Sequence, residues 1–310
     1  MAISAKTTVD AKGMFVDTSV CTGCKACQVA CKQWNEIEPG AGPIPMTDEA
    51  AVREHRAFTG NSYDNTGHLN SYDWRHVKFI EQIGTGKSGD VHKDREGARW
   101  LMMSDSCKHC EQAGCLEVCP TGALYRTQFG SVDIHQDVCI GCRYCVGACP
   151  FGVIEFNKKT GRVNKCILCQ DRLEQGMSTA CAKACPTSSL TYGKVDDLKL
   201  MAQERVRSLH ARGQTDAYVY GWDLGNQGTI TAGPNKGAQV KDMEVVGGLN
   251  VFYLLLDKPE VYGLPSNPAL PQRNFAPSAG VALISAAVLG VTGLAAFRRR
   301  RMADAVTAAD

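Results

Sequence analysis

The apolar residues of this chain fall in short runs, apart from one long stretch near the C-terminus. Trp74 to Ile83 and Trp100 to Met103 read as strands, joined by a Gly/Lys turn at Gly84 to Gly89. Before them, Glu38 to Pro45 reads as Pro/Gly-rich loop and Asp48 to Phe58 as a short helix. From Val195 to Arg212 the apolar residues Leu198, Met201, Ala202, Val206 and Leu209 recur at helical spacing, and Gly213 suits the stop. Tyr218 to Trp222 and Leu249 to Leu256 read as two further strands, with Gly-rich loop between them. Asp257 to Pro277 carries five prolines and reads as an extended linker.

The long stretch is Ser278 to Phe297, twenty residues without a charge, followed at once by Arg298, Arg299, Arg300 and Arg301. Twenty helical residues span about 30 Å, the thickness of a bilayer's hydrocarbon core. We expect a single transmembrane helix over 278–297 and a basic cytoplasmic tail over 298–310. Ala282, Ala286 and Gly290 share one face, which suits close packing on a partner helix. Arginines stay on the cytoplasmic side, so the body of the chain is expected on the periplasmic side of the inner membrane. Met1 to Phe15 has Lys6 and Lys12 but no apolar stretch and no twin arginine, so no export signal is expected. Those two expectations agree if the folded protein is exported with a partner that carries the signal.

Composition adds one strong departure. Hydrophobic content is 44% and net charge +2, which fits a globular protein and does not point to nucleic acid. The 16 cysteines, however, fall in four groups of four. The first is Cys21, Cys24, Cys27 and Cys31; the second Cys107, Cys110, Cys115 and Cys119. The third, Cys139, Cys142, Cys145 and Cys149, repeats the spacing of the first, and the fourth is Cys166, Cys169, Cys181 and Cys185. Disulfide-dense domains are small and secreted, and zinc sites take two distant C-x2-C pairs or include histidine. Cysteines crowded at two- and three-residue gaps suit iron–sulfur clusters. In the C-x2-C-x2-C-x3-C run the fourth cysteine serves another cluster, so each run asks for a partner run.

After motifs two, three and four the chain turns into a short strand, at Thr121 to Leu124, Gly152 to Phe156 and Thr187 to Thr191. Pro120, Pro150 and Pro186 follow the last cysteine of those motifs and stop the helix; motif one has Lys32 instead. Gly84-Thr85-Gly86-Lys87-Ser88 is not a phosphate loop, because Glu81 stands where that motif needs its first glycine. No other catalytic fingerprint is present, and no cysteine is left over as a nucleophile. The chain reads as a non-catalytic electron conduit. His109 is redundant as a ligand beside four cysteines, and an outer role or an exposed one suits it better. Lys25, Lys108, Arg143, Lys165 and Lys183 lie near the cysteines, where they offset thiolate charge or are plain surface charges; Lys165, next to Cys166, favours the first reading. Trp34, Trp74, Trp100 and Trp222 read as core or interface residues.

With these residues in hand, the chain resembles the iron–sulfur (beta) subunits of membrane-bound respiratory formate dehydrogenases. The resemblance rests on Cys24 to Cys31 with Trp34-Asn35 behind it, Cys149 to Gly152, and Lys165 to Arg172. Gly247-Gly248, Asp257-Lys258-Pro259, Gly263-Leu264-Pro265 and Asn267-Pro268 extend it. It implies an α+β fold of two pseudo-symmetric bacterial-ferredoxin-like halves binding four [4Fe-4S] clusters. Motifs one and four would make one half, motifs two and three the other, with a β-rich insertion at 36–104. The cluster domain would cover 1–194, and a helix/strand extension and linker 195–277. The implied ligand sets are Cys21, Cys24, Cys27 and Cys185; then Cys31, Cys166, Cys169 and Cys181; then Cys107, Cys110, Cys115 and Cys149; then Cys119, Cys139, Cys142 and Cys145. The implied partners are a molybdenum or tungsten pterin catalytic (alpha) subunit, a cytochrome b (gamma) subunit and the membrane, in anaerobic respiration. The cluster motifs alone also fit the electron-transfer subunit of a nickel–iron hydrogenase or of another molybdopterin oxidoreductase, and a zinc-binding interaction protein is the non-redox alternative.

Overall fold

A computed structural model describes residues 10–38, 68–82, 99–222, 247–266, 268–270 and 275–307. The chain divides into two compact units, Met1–Ala269 and Leu270–Asp310. The expected helix at Asp48 to Phe58, the turn at Gly84 to Gly89 and the Gly-rich loop before Leu249 lie outside the described residues.

The first unit is built on a four-stranded sheet. β1 (Lys12–Asp17) lies between β8 (Leu190–Lys194), antiparallel to it, and β10 (Val251–Leu255), parallel to it. β9 (Tyr218–Tyr220) closes the other side of β10. Val251, Phe252, Tyr253, Leu254 and Leu255 are all fully buried, as expected of a central strand covered on both faces. Each such side chain contributes about 1.5–3 kcal/mol by leaving water. The helix expected from Val195 to Arg212 is present as α6 (Val195–Ala211), packed on β1, β8 and β9. Val195, Leu198, Ala202, Val206 and Leu209 form its buried stripe, whereas Met201 is half exposed at 48%. Asp196 and Asp197 complement the dipole at its start, and Gly213 takes the left-handed conformation just past its end.

Within 195–277, the helix and strands expected from sequence are part of the first unit's sheet layer. Strands β9 and β10 complete the sheet that β1 and β8 begin. The linker reading fails over its first part. Pro259–Tyr262 forms a 3-10 turn closed by Gly263 in the left-handed region, and Tyr262 and Leu264 are buried. Tyr220 donates to the Pro265 carbonyl at 2.6 Å, and Lys78 to the Tyr262 carbonyl at 2.7 Å. The prolines here start a turn that carries apolar side chains into the core.

Two-stranded hairpins accompany this sheet. β2 (Arg75–Gln82) pairs antiparallel with β3 (Arg99–Ser106), as the apolar pattern predicts. β4 (Leu124–Arg126) pairs with β5 (Val132–Ile134), and β6 (Glu155–Asn157) with β7 (Arg162–Asn164). β4, β6 and β8 are the strands expected after motifs two, three and four. Short helices carry the motifs themselves: α1 (Ala26–Trp34), α2 (Gly114–Glu117), α3 (Tyr144–Ala148), α4 (Gln170–Glu174) and α5 (Ala180–Lys183).

The second unit holds α7 (Phe275–Thr307). Within it, Gly280–Arg301 is long and apolar enough to cross a membrane, by length and composition. The helix runs past the expected end at Phe297, because arginine and alanine are good helix formers. Ser285 and Thr292 turn their hydroxyls back onto the Val281 and Val288 carbonyls, both at 2.9 Å, so neither needs water.

Gly13 tests how tightly β1 and β10 fit. A Cβ there would lie 2.0 Å from the Asn250 carbonyl oxygen, the acceptor of the Met14 N–H. Gly13→Ala is expected to cost about 1–3 kcal/mol, read as a lower denaturant midpoint of the purified protein. An unchanged midpoint would show that β1 can move off β10 freely.

Candidate functional site

The cysteine motifs share a backbone device. The residue before the second cysteine is left-handed in all four: Gly23 (φ 65°), His109 (φ 46°), Gly141 (φ 68°) and Leu168 (φ 59°). Motifs one, three and four add a second left-handed residue, Lys25, Arg143 and Cys169, at the start of α1, α3 and α4. Left-handed residues in such tight loops can turn N–H groups toward an anion, as the Leu168 N–H turns to the Cys166 sulfur. Glycine is required at position 141 for space as well, since a Cβ would meet the Gly161 carbonyl oxygen at 2.1 Å. His109 and Leu168 adopt the same conformation at a cost of about 1–2 kcal/mol each.

These loops bring thiols from different motifs together. Burial pushes the Cys31 thiol well up, and the Cys166, Cys181 and Cys169 thiols beside it push it further. Burial does the same to Cys110, helped by Cys107, Cys149 and Cys115. Cys145 is raised to about 11 by burial and then by Cys142, Cys119 and Cys139. Cys21 is raised by burial, with Cys185 and Cys24 as its thiol neighbours. Helix contacts follow the same pairing: α1 of motif one packs on α5 of motif four, and α2 of motif two on α3 of motif three.

These groups also influence one another. Cys27 feels the charge of Cys181, Cys166 that of Cys107, and Cys115 that of Cys145. Exposure differs along this series: Cys24 and Cys142 are exposed, whereas Cys31, Cys166, Cys169 and Cys181 are all buried.

All sixteen cysteines are free thiols. Two of these groups line small cavities. One is bounded by Cys31, Cys166, Cys169 and Cys181, with Trp74, Arg75 and Leu168 in its wall. The other is bounded by Cys119, Cys139, Cys142 and Cys145 against Leu124, Ile134 and Ile140. The sulfurs surround a space and do not meet at a point. Among the described residues, no three Cys, His, Asp or Glu side chains come close enough to share one metal ion. An all-sulfur donor set around a cavity, with apolar walls, fits a polynuclear iron–sulfur group better than a zinc ion.

Hydroxyl and N–H donors complete the surroundings. Ser104 lies 3.1 Å from the Cys27 sulfur, and the Leu168 N–H donates to the Cys166 sulfur at 3.4 Å. Thr121 and Thr187, each two residues past a motif's last cysteine, stand 3.7 Å from Cys119 and Cys185. Asn35, part of the Trp-Asn pair, donates to the Cys31 sulfur at 3.7 Å.

The cations divide unevenly. Lys165 is buried beside Cys166 and donates to the Cys166 carbonyl at 2.9 Å and to that of Val132. Lys108 is equally buried, so its surface reading is overturned; it pairs with Asp105. Burial works against the Asp105 charge, but Lys108 and Lys78 hold the carboxyl below its ordinary range. Lys25 sits over the Phe79 ring, while Arg143 and Lys183 are exposed, Arg143 covering Phe156. His109 is not exposed either: it is fully buried, and its Nδ1 accepts the Val132 N–H at 3.0 Å. Burial, and then the charges of Lys165, Arg126 and Arg75, push its pKa well below the ordinary imidazole value.

Trp34 is 40% exposed, donates to Asp171 at 2.7 Å and lies under Arg172; Trp100 is 56% exposed. Trp74 and Trp222 are partly buried, bonded to the Ser71 and Leu249 carbonyls. One residue escaped the sequence reading altogether. Arg75, at the start of β2, is fully buried among motif-one and motif-four thiols. Burial disfavours its charge, but Cys181, Cys27, Cys166 and Cys31 outweigh that and raise its pKa. No sequence signal singled it out, since β2 also carries His76, Lys78, Glu81 and Gln82.

Comparison with known proteins places these loops. Two family models, both described as a 4Fe-4S dicluster domain, match residues 20–123 and 98–195. The nitrate-inducible formate dehydrogenase iron-sulfur subunit of Escherichia coli is 36% identical over 260 residues, covering 83% of this chain and 73% of that one. The formate dehydrogenase iron-sulfur subunit of Haemophilus influenzae is 35% identical over 260 residues, covering 83% and 69%. The B subunit of the anaerobic dimethyl sulfoxide reductase of Escherichia coli is 34% identical over 187 residues, covering 60% and 75%. With its thiol-lined cavities and its dicluster repeats, the chain belongs to the family of formate dehydrogenase iron–sulfur subunits.

Proposed function

We propose that this chain carries electrons through four [4Fe-4S] clusters, from a formate-oxidising molybdenum/tungsten pterin subunit to a membrane cytochrome b and quinone. Cys21, Cys24, Cys27 and Cys185 would hold the first cluster, and Cys31, Cys166, Cys169 and Cys181 the second. Cys107, Cys110, Cys115 and Cys149 would hold the third, and Cys119, Cys139, Cys142 and Cys145 the fourth. Each cluster, when bound, supplies one-electron carriage.

The observation that carries this reading is the thiol grouping. The neighbours of Cys21, Cys31, Cys110 and Cys145 fall within the proposed sets. Electrostatic coupling of Cys27 with Cys181, Cys166 with Cys107 and Cys115 with Cys145 supports a serial order of the sets. Pairing of α1 with α5 and of α2 with α3 supports two ferredoxin-like halves, related by the repeated loop geometry. Exposed Cys24 and Cys142 suit the two ends of such a series, where partners exchange electrons. The Ser104, Thr121 and Thr187 hydroxyls and the buried cations Arg75 and Lys165 stand beside these sets. For the membrane side, Gly280–Arg301 would anchor the complex, with Arg298 to Arg301 cytoplasmic and the cluster unit periplasmic. The similarity to formate dehydrogenase subunits covers 260 residues and that to the sulfoxide reductase subunit 187, which favours formate as the electron source.

The purified complex is expected to contain about sixteen iron and as much sulfide per chain. Four zinc and no sulfide would sink the reading. It is expected to copurify with a large subunit bearing molybdenum or tungsten, and formate should bleach the cluster absorbance. Nickel in the large subunit would turn the assignment to a hydrogenase.

Cys31→Ser should remove about four iron and stop formate-driven quinone reduction, while the remaining clusters stay reducible by dithionite. Full iron content in that variant would exclude Cys31 as a ligand. Deletion of Ser278 to Asp310 is expected to release the complex from membranes or uncouple it from quinone; a truncated complex that stays bound and coupled after washing would refute the anchor.

A further inference from the structure

Arg75 is the one fully buried guanidinium among the described residues, and its position is unusual in what it lacks. Its hydrogen bonds go to the Ser104 hydroxyl at 3.0 Å, the Ser106 hydroxyl at 3.0 Å and the Met14 sulfur at 3.4 Å. Among the described residues no carboxylate pairs with it. Asp73, two residues before it, is taken by Lys32 and Asn70, and Asp105 lies on the opposite face of β3 from Ser104 and Ser106, where Lys108, Lys78 and Tyr253 take it. An unpaired buried cation is strongly disfavoured unless something anionic answers it.

What lies around it is sulfur. Arg75 lines the cavity ringed by Cys31, Cys166, Cys169 and Cys181. Through Ser104, which is also 3.1 Å from the Cys27 sulfur, it reaches the neighbouring set. The same guanidinium therefore sits at the junction of two thiol sets, fixed by the alternation of β3 and not by either motif.

We propose that Arg75 is a positioning residue that serves as the shared counter-cation of the first and second clusters and raises the reduction potential of both. The proposal rests on the four-cluster reading above. Its physical basis is charge. Reduction adds one negative charge to a group that is already anionic, and a fixed positive charge nearby favours the reduced form. The Ser104 hydroxyl extends this to the Cys27 sulfur, since hydrogen bonds to cluster sulfur act in the same direction. The low polarity of the site leaves the charge poorly screened, so its effect is greatest on the two sets it adjoins.

The test is EPR-monitored potentiometry of the purified complex with Arg75→Gln, Arg75→Lys and Ser104→Ala, each checked for iron and sulfide content. In Arg75→Gln two of the four reduction waves should move to lower potential and two should stay. Arg75→Lys should restore most of that shift, because it returns the charge without the fork. Ser104→Ala should lower a single wave. Four unmoved waves in a fully loaded Arg75→Gln complex would overturn the proposal, as would a uniform shift of all four. Should the glutamine variant lose iron, Arg75→Lys and Ser104→Ala decide: waves at wild-type potential in Ser104→Ala together with iron loss in Arg75→Lys would make Arg75 a packing residue only. Wild-type complex without four clusters would instead overturn the underlying reading.

Discussion

Everything in the first unit answers to the burial of thiol sulfur. Burial opposes a thiolate, and other thiols packed beside it oppose it again; Cys31, Cys110 and Cys166 experience both. Such groups are tolerable as ligands only if positive charge and donors surround them. The chain supplies the N–H of left-handed Leu168, hydroxyls from Ser104, Thr121 and Thr187, and the buried cations Arg75 and Lys165. Metal would supply the rest, which is why folding and cluster assembly in such a domain are physically one problem.

The sheet solves a second problem, that of distance along the chain. Motif one and motif four are separated by more than a hundred residues, yet their cysteines adjoin. β1 enters motif one and β8 leaves motif four, and they are hydrogen-bonded neighbours. β10, arriving from residue 251, locks β1 from the other side. The Ser189 hydroxyl donates to the Asp17 carbonyl at 2.7 Å and Thr18 to that of Leu254 at 2.7 Å, tying the same three strands at the mouth of the first loop. The C-terminal part of the unit is thus a clamp on the N-terminal motif.

The β2–β3 hairpin has a comparable purpose. As a bare hairpin it would be marginal. Its two faces are used differently: Ser104 and Ser106 turn with Arg75 toward sulfur, and Asp105 turns toward Lys108, Lys78 and Tyr253. At its far end, Gln82 and Arg99 hold Asp257, so the hairpin also fixes the segment after β10.

Much of this was legible in the amino-acid order. Spacing identified the cysteines and their chemistry, because ligand geometry is local. Periodicity identified α6, the hairpin strands and the long apolar helix, because a face or a span is a property of consecutive residues. Other features were not legible there. Met201 looked like core but is half exposed, and the proline-rich segment after Asp257 looked like a tether but buries Tyr262 and Leu264. Lys108 and His109 looked peripheral and are fully buried. Above all, Arg75 carried no motif. Sequence determined what each loop can bind, since that depends on residues a few positions apart; only tertiary structure decided which loops face each other and which cation stands between them, since that depends on strands brought together from distant parts of the chain.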